Sequence, residues 1–183
     1  MRKINIHLTV DESALTYCRE VNAGIRKITN SIIVFDDESP MIPHISVIMG
    51  KIDDNQTLSE IADVAGNLLS DWRPLIISVG PPYLENVRNR YVFSDLDGGQ
   101  AFKKLKQEFH RALKARYLHV QTDYTDQAHL TLGHVEDKRD EVRRYLSQVQ
   151  ADFEFVSKEL EISDAGPKGT CINSLFKYEI TGK

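Results

Sequence analysis

Apolar and polar residues alternate without interruption from Lys3 to Val10, the period of two that predicts a half-buried strand. Asp11 and Ser13 follow as capping side chains. Leu15, Cys18, Val21, Ala23 and Ile25 then give one partly apolar side to a helix over 13–27. SIIVF, 31–35, predicts a short apolar strand, DDESP a turn, and 43–52 a second strand closed by Gly50 and the polar run Asp53, Asp54, Asn55. Thr57 opens the next helix with the capping box TLSE, and its apolar residues keep helical spacing as far as Trp72. Two strands, 74–79 and 90–96, come next. Pro81 and Pro82 are expected to break the first, and Asp97, Gly98 and Gly99 to end the second. Phe102, Leu105, Phe109, Ala112 and Leu113 place an apolar stripe on a helix over 100–117 whose other faces are basic. A strand over 128–135, a charged helix over 137–150, and strands over 153–162 and 171–180 around the turn AGPKG complete the chain.

The pattern repeats. Sliding the chain by 85 residues sets His129 on His44, the strand 88–95 on 3–10, and the helix 97–113 on 12–28. Each half reads strand, helix, histidine-bearing strand, helix, strand. This order implies a duplication whose two lobes share one core, a single domain over 1–183. The same slide sets His7 on Val92, so His7 has no imidazole counterpart.

Composition narrows the reading. With 41% hydrophobic and 27% charged residues the chain can bury a sizeable core and is not disordered. A net charge of −4 argues against coating duplex nucleic acid by bulk attraction, but leaves room for a small anion held locally. The two cysteines, Cys18 and Cys171, have neither metal-binding nor disulfide-framework spacing. Nothing at the N-terminus reads as a secretory signal, and no apolar run is long enough to span a membrane. The cytoplasm is the expected compartment, and a monomer the expected state.

Three triplets carry the chemistry: His7-Leu8-Thr9, His44-Ile45-Ser46 and His129-Leu130-Thr131. Six histidines in a chain of this composition give roughly 0.7 such triplets by chance, so one alone means little. Two of them lie in apolar strands at half-chain spacing, each ahead of a helix. Residues i and i+2 of a strand share a face, so each triplet delivers an imidazole beside a hydroxyl. Across one cleft, the pair suits a phosphodiester. One imidazole takes a proton from the nucleophile, the other gives one to the leaving oxygen, and the hydroxyls donate to the phosphoryl oxygens. Neither a metal nor a cofactor is required.

PHISVIMGKI and AHLTLGHV resemble the two signature strands of the 2H phosphoesterase superfamily, the group of 2′-5′ RNA ligase-like and cyclic nucleotide phosphodiesterase proteins. The resemblance extends over the whole chain in length, motif spacing and element order. It implies a bilobal α+β fold with a pseudo-two-fold axis, in which two antiparallel sheets flanked by helices enclose a central cleft. It also implies that His44 and His129 are catalytic and that Ser46 and Thr131 bind phosphate. The expected activity is metal-independent hydrolysis of a 2′,3′-cyclic phosphate or a 2′-5′ linkage, with a small nucleotide or an RNA end as substrate. Relatives often carry Arg where this chain has His134, and Pro where it has Ala128. The alternatives are a nucleotide- or RNA-binding module without turnover, and 2′-5′ RNA ligation by the same residues run backwards.

Other residues have more ordinary readings. His7 is expected to be structural, with substrate contact as a second reading. His134 lies an odd five residues from His129, so a regular strand would aim it at the opposite face, away from any shared metal ion. His110 and His119 are expected at the surface, and Tyr83, Tyr91 and Phe93 in the core. The basic helix is read as a solvated face before it is read as an RNA guide. Tyr124, in QTDYTDQ, is the candidate for base stacking.

Overall fold

The alternating start of the chain becomes a strand, β1 (Arg2–Thr9), in a computed structural model that describes residues 2–113, 119–120 and 128–182. Asp11 caps the helix after it, α1 (Glu12–Ile28): its carboxylate accepts from Ala14 N. The first half continues with β2 (His44–Ile52), α2 (Asn55–Leu69) and β3 (Leu75–Leu84). The second half runs β4 (Tyr91–Asp97), α3 (Gly99–Leu113), β5 (His119–Val120), β6 (Ala128–His134), α4 (Arg139–Leu146), β7 (Phe153–Ser157), β8 (Glu159–Ala165) and β9 (Cys171–Glu179).

The fold is α+β, with two antiparallel sheets flanked by four helices among the described residues. Strand order is β5-β2-β1-β8-β9 in the first sheet and β6-β4-β3-β7 in the second. Each sheet therefore mixes both halves of the chain: β8 pairs with β1, and β3 pairs with β4. The helices cross over as well. α1 follows a strand of the first sheet but packs on β6, and α3 follows a strand of the second but packs on β2. One continuous cluster of buried side chains, including Ile4, Ile6, Ile48, Phe109, Leu130, Leu132 and Phe155, fills the space between.

Sequence and structure differ in instructive places. Pro81 and Pro82 do not end β3. β7 pairs only with Leu75–Val79, so both prolines lie where that side of β3 is an edge; Pro81 falls in the bulge opposite β4 and Pro82 resumes the register against Ser94. The run expected as one strand over 153–162 is two, split at Lys158, where the chain leaves one sheet for the other. α2 starts earlier than the Thr57 capping box, because the Asp54 carboxylate takes Thr57 N at 2.7 Å. α4 is shorter than expected and follows a left-handed Lys138. Residues 114–117 of the long basic helix lie outside the described residues. No helix among the described residues is long and apolar enough to cross a membrane.

SIIVF forms no strand at all. Its backbone groups are satisfied by side chains, chiefly Asn22 on α1. The Asn22 amide donates to Ile33 O and Leu132 O, each at 2.9 Å, and its oxygen accepts from Phe35 N at 3.2 Å. Ser31 Oγ accepts from His134 N at 3.1 Å. One buried amide thus ties α1, the 31–35 segment and β6 together. Replacing Asn22 with Leu removes this partner from three backbone groups, of which Ile33 O keeps the Ser31 hydroxyl at 3.0 Å, and each buried group left unpaired costs about 1–3 kcal/mol. The expected loss is about 2 kcal/mol or more, read by urea unfolding as a lower midpoint at unchanged slope.

Candidate active site

Both motif strands carry the same irregularity at the same place. Opposite β1, β2 fits one extra residue, Val47, between Ser46 (paired with His7) and Ile48 (paired with Ile6). Opposite β4, β6 fits an extra Leu132 between Thr131 (paired with Phe93) and Gly133 (paired with Val92). These are β-bulges, and each follows the motif hydroxyl directly. Before the bulge, His44 and Ser46 are half-buried while Ile45 is in the core; Val47 in the bulge and Ile48 after it are both in the core, so the alternation is inverted. The register aligns His7 with Phe93 and not with Val92, one residue beyond the simple 85-residue slide.

The inversion overturns the parity reading of His134. Phe93 touches the His129 ring at 4.4 Å between centroids and stacks on Tyr91 at 5.7 Å. Tyr91 in turn meets His134 edge-on at 5.3 Å. Tyr91 and Phe93 share a face of β4, so His129 and His134 lie on that same face. His134 is buried, and neither ring nitrogen has a hydrogen-bond partner among the described residues. Gly133 beside it leaves room for α1, since a Cβ there would come within 2.9 Å of Ile25 Cδ1.

The first sheet contributes His44, Ser46 and His7. β2 and β6 run beside each other with Cα atoms within 8 Å, and the charge of His129 is felt at His44. His44 Nδ1 donates to Ile42 O at 2.8 Å, which fixes the neutral ring as the tautomer with its lone pair on Nε2. Burial, opposed by hydrogen bonds to Ile42 and Gly169 and aided by His129, pushes His44 down to about 4. Asn5 Nδ2 donates to Ser46 Oγ at 2.8 Å, so the hydroxyl keeps its own proton for another acceptor. Thr131 is half-buried on the facing strand.

His7 is fully buried, not a surface contact. Its Nε2 shares a 2.9 Å hydrogen bond with the Ser163 hydroxyl, and its ring meets His44 edge-on at 5.0 Å. Burial, with the charges of His44 and Lys177 against a hydrogen bond to the Leu8 backbone, lowers it to about 3. His7 thus stands behind His44 as Phe93 stands beside His129. Tyr124 lies outside the described residues, as does the His119 side chain. His110 is half-buried on α3.

The sequence reading missed the aromatic wall. Tyr83, Tyr91 and Phe93 are not core residues. They are partly exposed beside His129, with Tyr83 and Phe93 paired across strands and Tyr83 donating to Asp95 Oδ1 at 2.7 Å. The signal was present in the alternation of Tyr91, Phe93 and Asp95 with the buried Val92, Ser94 and Leu96.

Residues 35–166 match the model of the 2′-5′ RNA ligase superfamily. Among solved structures, the chain is similar to Escherichia coli LigT complexed with phosphate, at 11% identity, 98% coverage of both chains and a TM-score of 0.66. TT0787 of Thermus thermophilus is similar at 11% identity, 99% coverage of both and a TM-score of 0.69. A crystal structure described as a phosphoesterase has 12% identity, 99% coverage of both and a TM-score of 0.63. No curated protein matches the chain.

The two depressed imidazoles set a pH signature. Both bind protons more readily in the unfolded chain, where histidine titrates near 6.5. Their contribution to stability is therefore complete above that pH and is lost as pH falls toward 3–4. His7→Phe, which copies the Phe93 arrangement, is expected to flatten this acid limb in unfolding curves taken from neutral pH down to about 4. Imidazole 15N NMR at neutral pH is expected to show His44 neutral and protonated on Nδ1.

Proposed function

Because the chain belongs to the 2′-5′ RNA ligase superfamily, we propose that it is a metal-independent phosphodiesterase acting on a 2′,3′-cyclic phosphate or a 2′-5′ linked nucleotide end. The observation that carries the reading is the matched pair of half-buried imidazoles on strands of the two sheets that lie within 8 Å of each other, each with a hydroxyl two residues on and a bulge just after it. The matched bulges also favour one domain built of two interleaved repeats. E. coli LigT, a fold neighbour, has been solved with 3′-AMP and with ATP, which supports a nucleotide as ligand.

His44 is the general base. Its Nδ1 proton is held by Ile42 O and its low pKa keeps Nε2 unprotonated at neutral pH. Nε2 takes a proton from water, the water oxygen bonds to phosphorus, the bond from phosphorus to one ribose oxygen breaks, and His129 protonates that oxygen. Ser46 and Thr131 donate to the non-bridging oxygens as charge builds there. Tyr83, Tyr91 and Phe93 offer flat faces for the base. With a ribose hydroxyl in place of water, the same groups run ligation.

His44→Ala and His129→Ala are each expected to lower kcat about 10²–10⁴-fold. Thr131→Val is expected to lower it about 10²-fold. The assay is turnover of 2′,3′-cyclic nucleotides in EDTA. In the same assay kcat/KM is expected to hold through mildly acid pH and to fall only near pH 4, where His44 takes up a proton. Full turnover by the His44→Ala, His129→Ala double variant, or loss of turnover in EDTA, would refute the mechanism.

A further inference from the structure

A groove of about 700 Å³ opens where the second motif strand ends, lined by Arg88, Asn89, Arg90, Lys138, Arg139 and Arg143 together with Asp140 and Glu141. Five cations face two carboxylates, on a chain whose net charge is −4. One of those carboxylates is spent, since Asp140 pairs with Arg143 at 2.8 Å. The nearby Glu85 is spent as well: it is buried and accepts from the backbone N–H groups of Val87, Arg88 and Arg90. Among the described residues Arg139 donates only to the carbonyls of Asn89 and Glu136 and pairs with no carboxylate. Arg88, Arg90 and Lys138 form no ion pair among the described residues, and all three are exposed.

The groove is shaped by backbone and not only by long side chains. Asn89 and Lys138 both adopt left-handed conformations, at φ 51° and 50°. The two loops they belong to are tied together. Arg139 Nε donates to Asn89 O at 2.9 Å, Arg143 Nη2 to Asn89 Oδ1 at 2.7 Å, and Val135 N to Arg90 O at 2.6 Å. Non-glycine residues reach such backbone angles only where the surroundings hold them.

The groove begins beside the cleft face: its Arg90 directly precedes Tyr91, which meets His134, and His134 shares a face with His129. The positive charges of Lys168 and Arg90 both reach His134, with Glu136 acting against them. Lys168, left-handed at φ 56°, sits in the turn between β8 and β9, next to Gly169, which hydrogen-bonds His44. Positive charge thus stands on the His44 side of the cleft, at Lys168, and in the groove, at Arg90, both within reach of His134. His134 lies five residues beyond His129, and with one of them taken up by the bulge the strand between spans about 13 Å. A phosphate held between the two motif histidines cannot also lie in the groove, so the anions that suit the groove are further along the same molecule.

We propose that the groove of Arg88, Arg90, Lys138 and Arg139 is a binding track for the phosphodiester backbone of a single-stranded RNA whose reactive end occupies the cleft. The inference rests on the proposed phosphodiesterase reading and deepens it: the preferred substrate is an oligonucleotide, and a mononucleotide fills only part of the site. Such a track reads charge and spacing, not sequence, so binding is salt-dependent and tolerant of base identity.

The test compares wild type with Arg88→Glu/Lys138→Glu, two exposed residues whose side chains lie outside every hydrogen bond that shapes the cleft. Fluorescence anisotropy with a labelled single-stranded RNA ten-mer ending in a 3′-phosphate, over a salt series, gives Kd and its salt slope. Turnover of a 2′,3′-cyclic mononucleotide runs in parallel. The expected result is RNA binding weakened at least tenfold, with a salt slope shallower by about 1.4, near 0.7 per lost phosphate contact. Mononucleotide turnover stays within twofold. Arg88→Gln/Lys138→Gln, with thermal unfolding as a control, gives the same order of effect if the Glu variant folds poorly. Unchanged RNA affinity and slope in both variants would overturn the track. So would equal competition by an oligoglutamate of matching charge. Absence of mononucleotide turnover by the wild type, with the RNA difference intact, would overturn the hydrolase reading while supporting the track.

Discussion

Two single-residue insertions in the sheet ladder govern the arrangement of this molecule. A strand that shows an imidazole and a hydroxyl on one face must keep alternating. If it did so along its full length, β2 and β6 would turn every residue beyond the motif the wrong way. Val47 and Leu132 absorb the change of phase. Upstream, the polar pair faces the cleft; downstream, Ile48 still reaches the core and His134 still reaches the cleft. The second bulge is held from behind by Asn22, whose amide takes the Leu132 carbonyl, and by the close fit of Gly133 against Ile25.

Electrostatics is arranged by depth. His7 is sealed in the first sheet and kept neutral, with Lys177 close enough to oppose its protonation. Lys177 is itself paired at 2.7 Å with the buried Glu161. His44 sits one layer nearer solvent and inherits part of this desolvation. It needs no carboxylate partner to fix its tautomer, because a backbone carbonyl does so. Cations gather further out, at the rim. From the inside outward the layers are neutral base, aromatic wall and positive charge.

Much of this was legible in the chain because it rests on local periodicity. The period-two runs located β1, β2, β4 and β6, and the spacing of the triplets singled out the strands that lie together. What could not be read depends on partners distant in sequence. SIIVF looks like a strand by composition, yet the backbone of Ile33 and Phe35 bonds to Asn22 on α1. Pro81 and Pro82 look like breakers, yet β7 is too short to reach them. His134 was assigned to the wrong face for the same reason, since a bulge leaves no mark on residue type. Tyr91 and Phe93 read as core because aromatic residues usually are, although their alternation with Val92 and Ser94 already divided the strand into two faces.

The crossing of α1 and α3, together with the exchange of β3 and β8 between sheets, has a mechanical corollary. Pulling the sheets apart would peel α1 off β6 and α3 off β2, so the packed helices resist a swing of the two walls like a hinged shell. The width of the gap is set when the protein folds, and a guest is sorted by whether its shape passes a fixed aperture rather than by how well it persuades the walls to close.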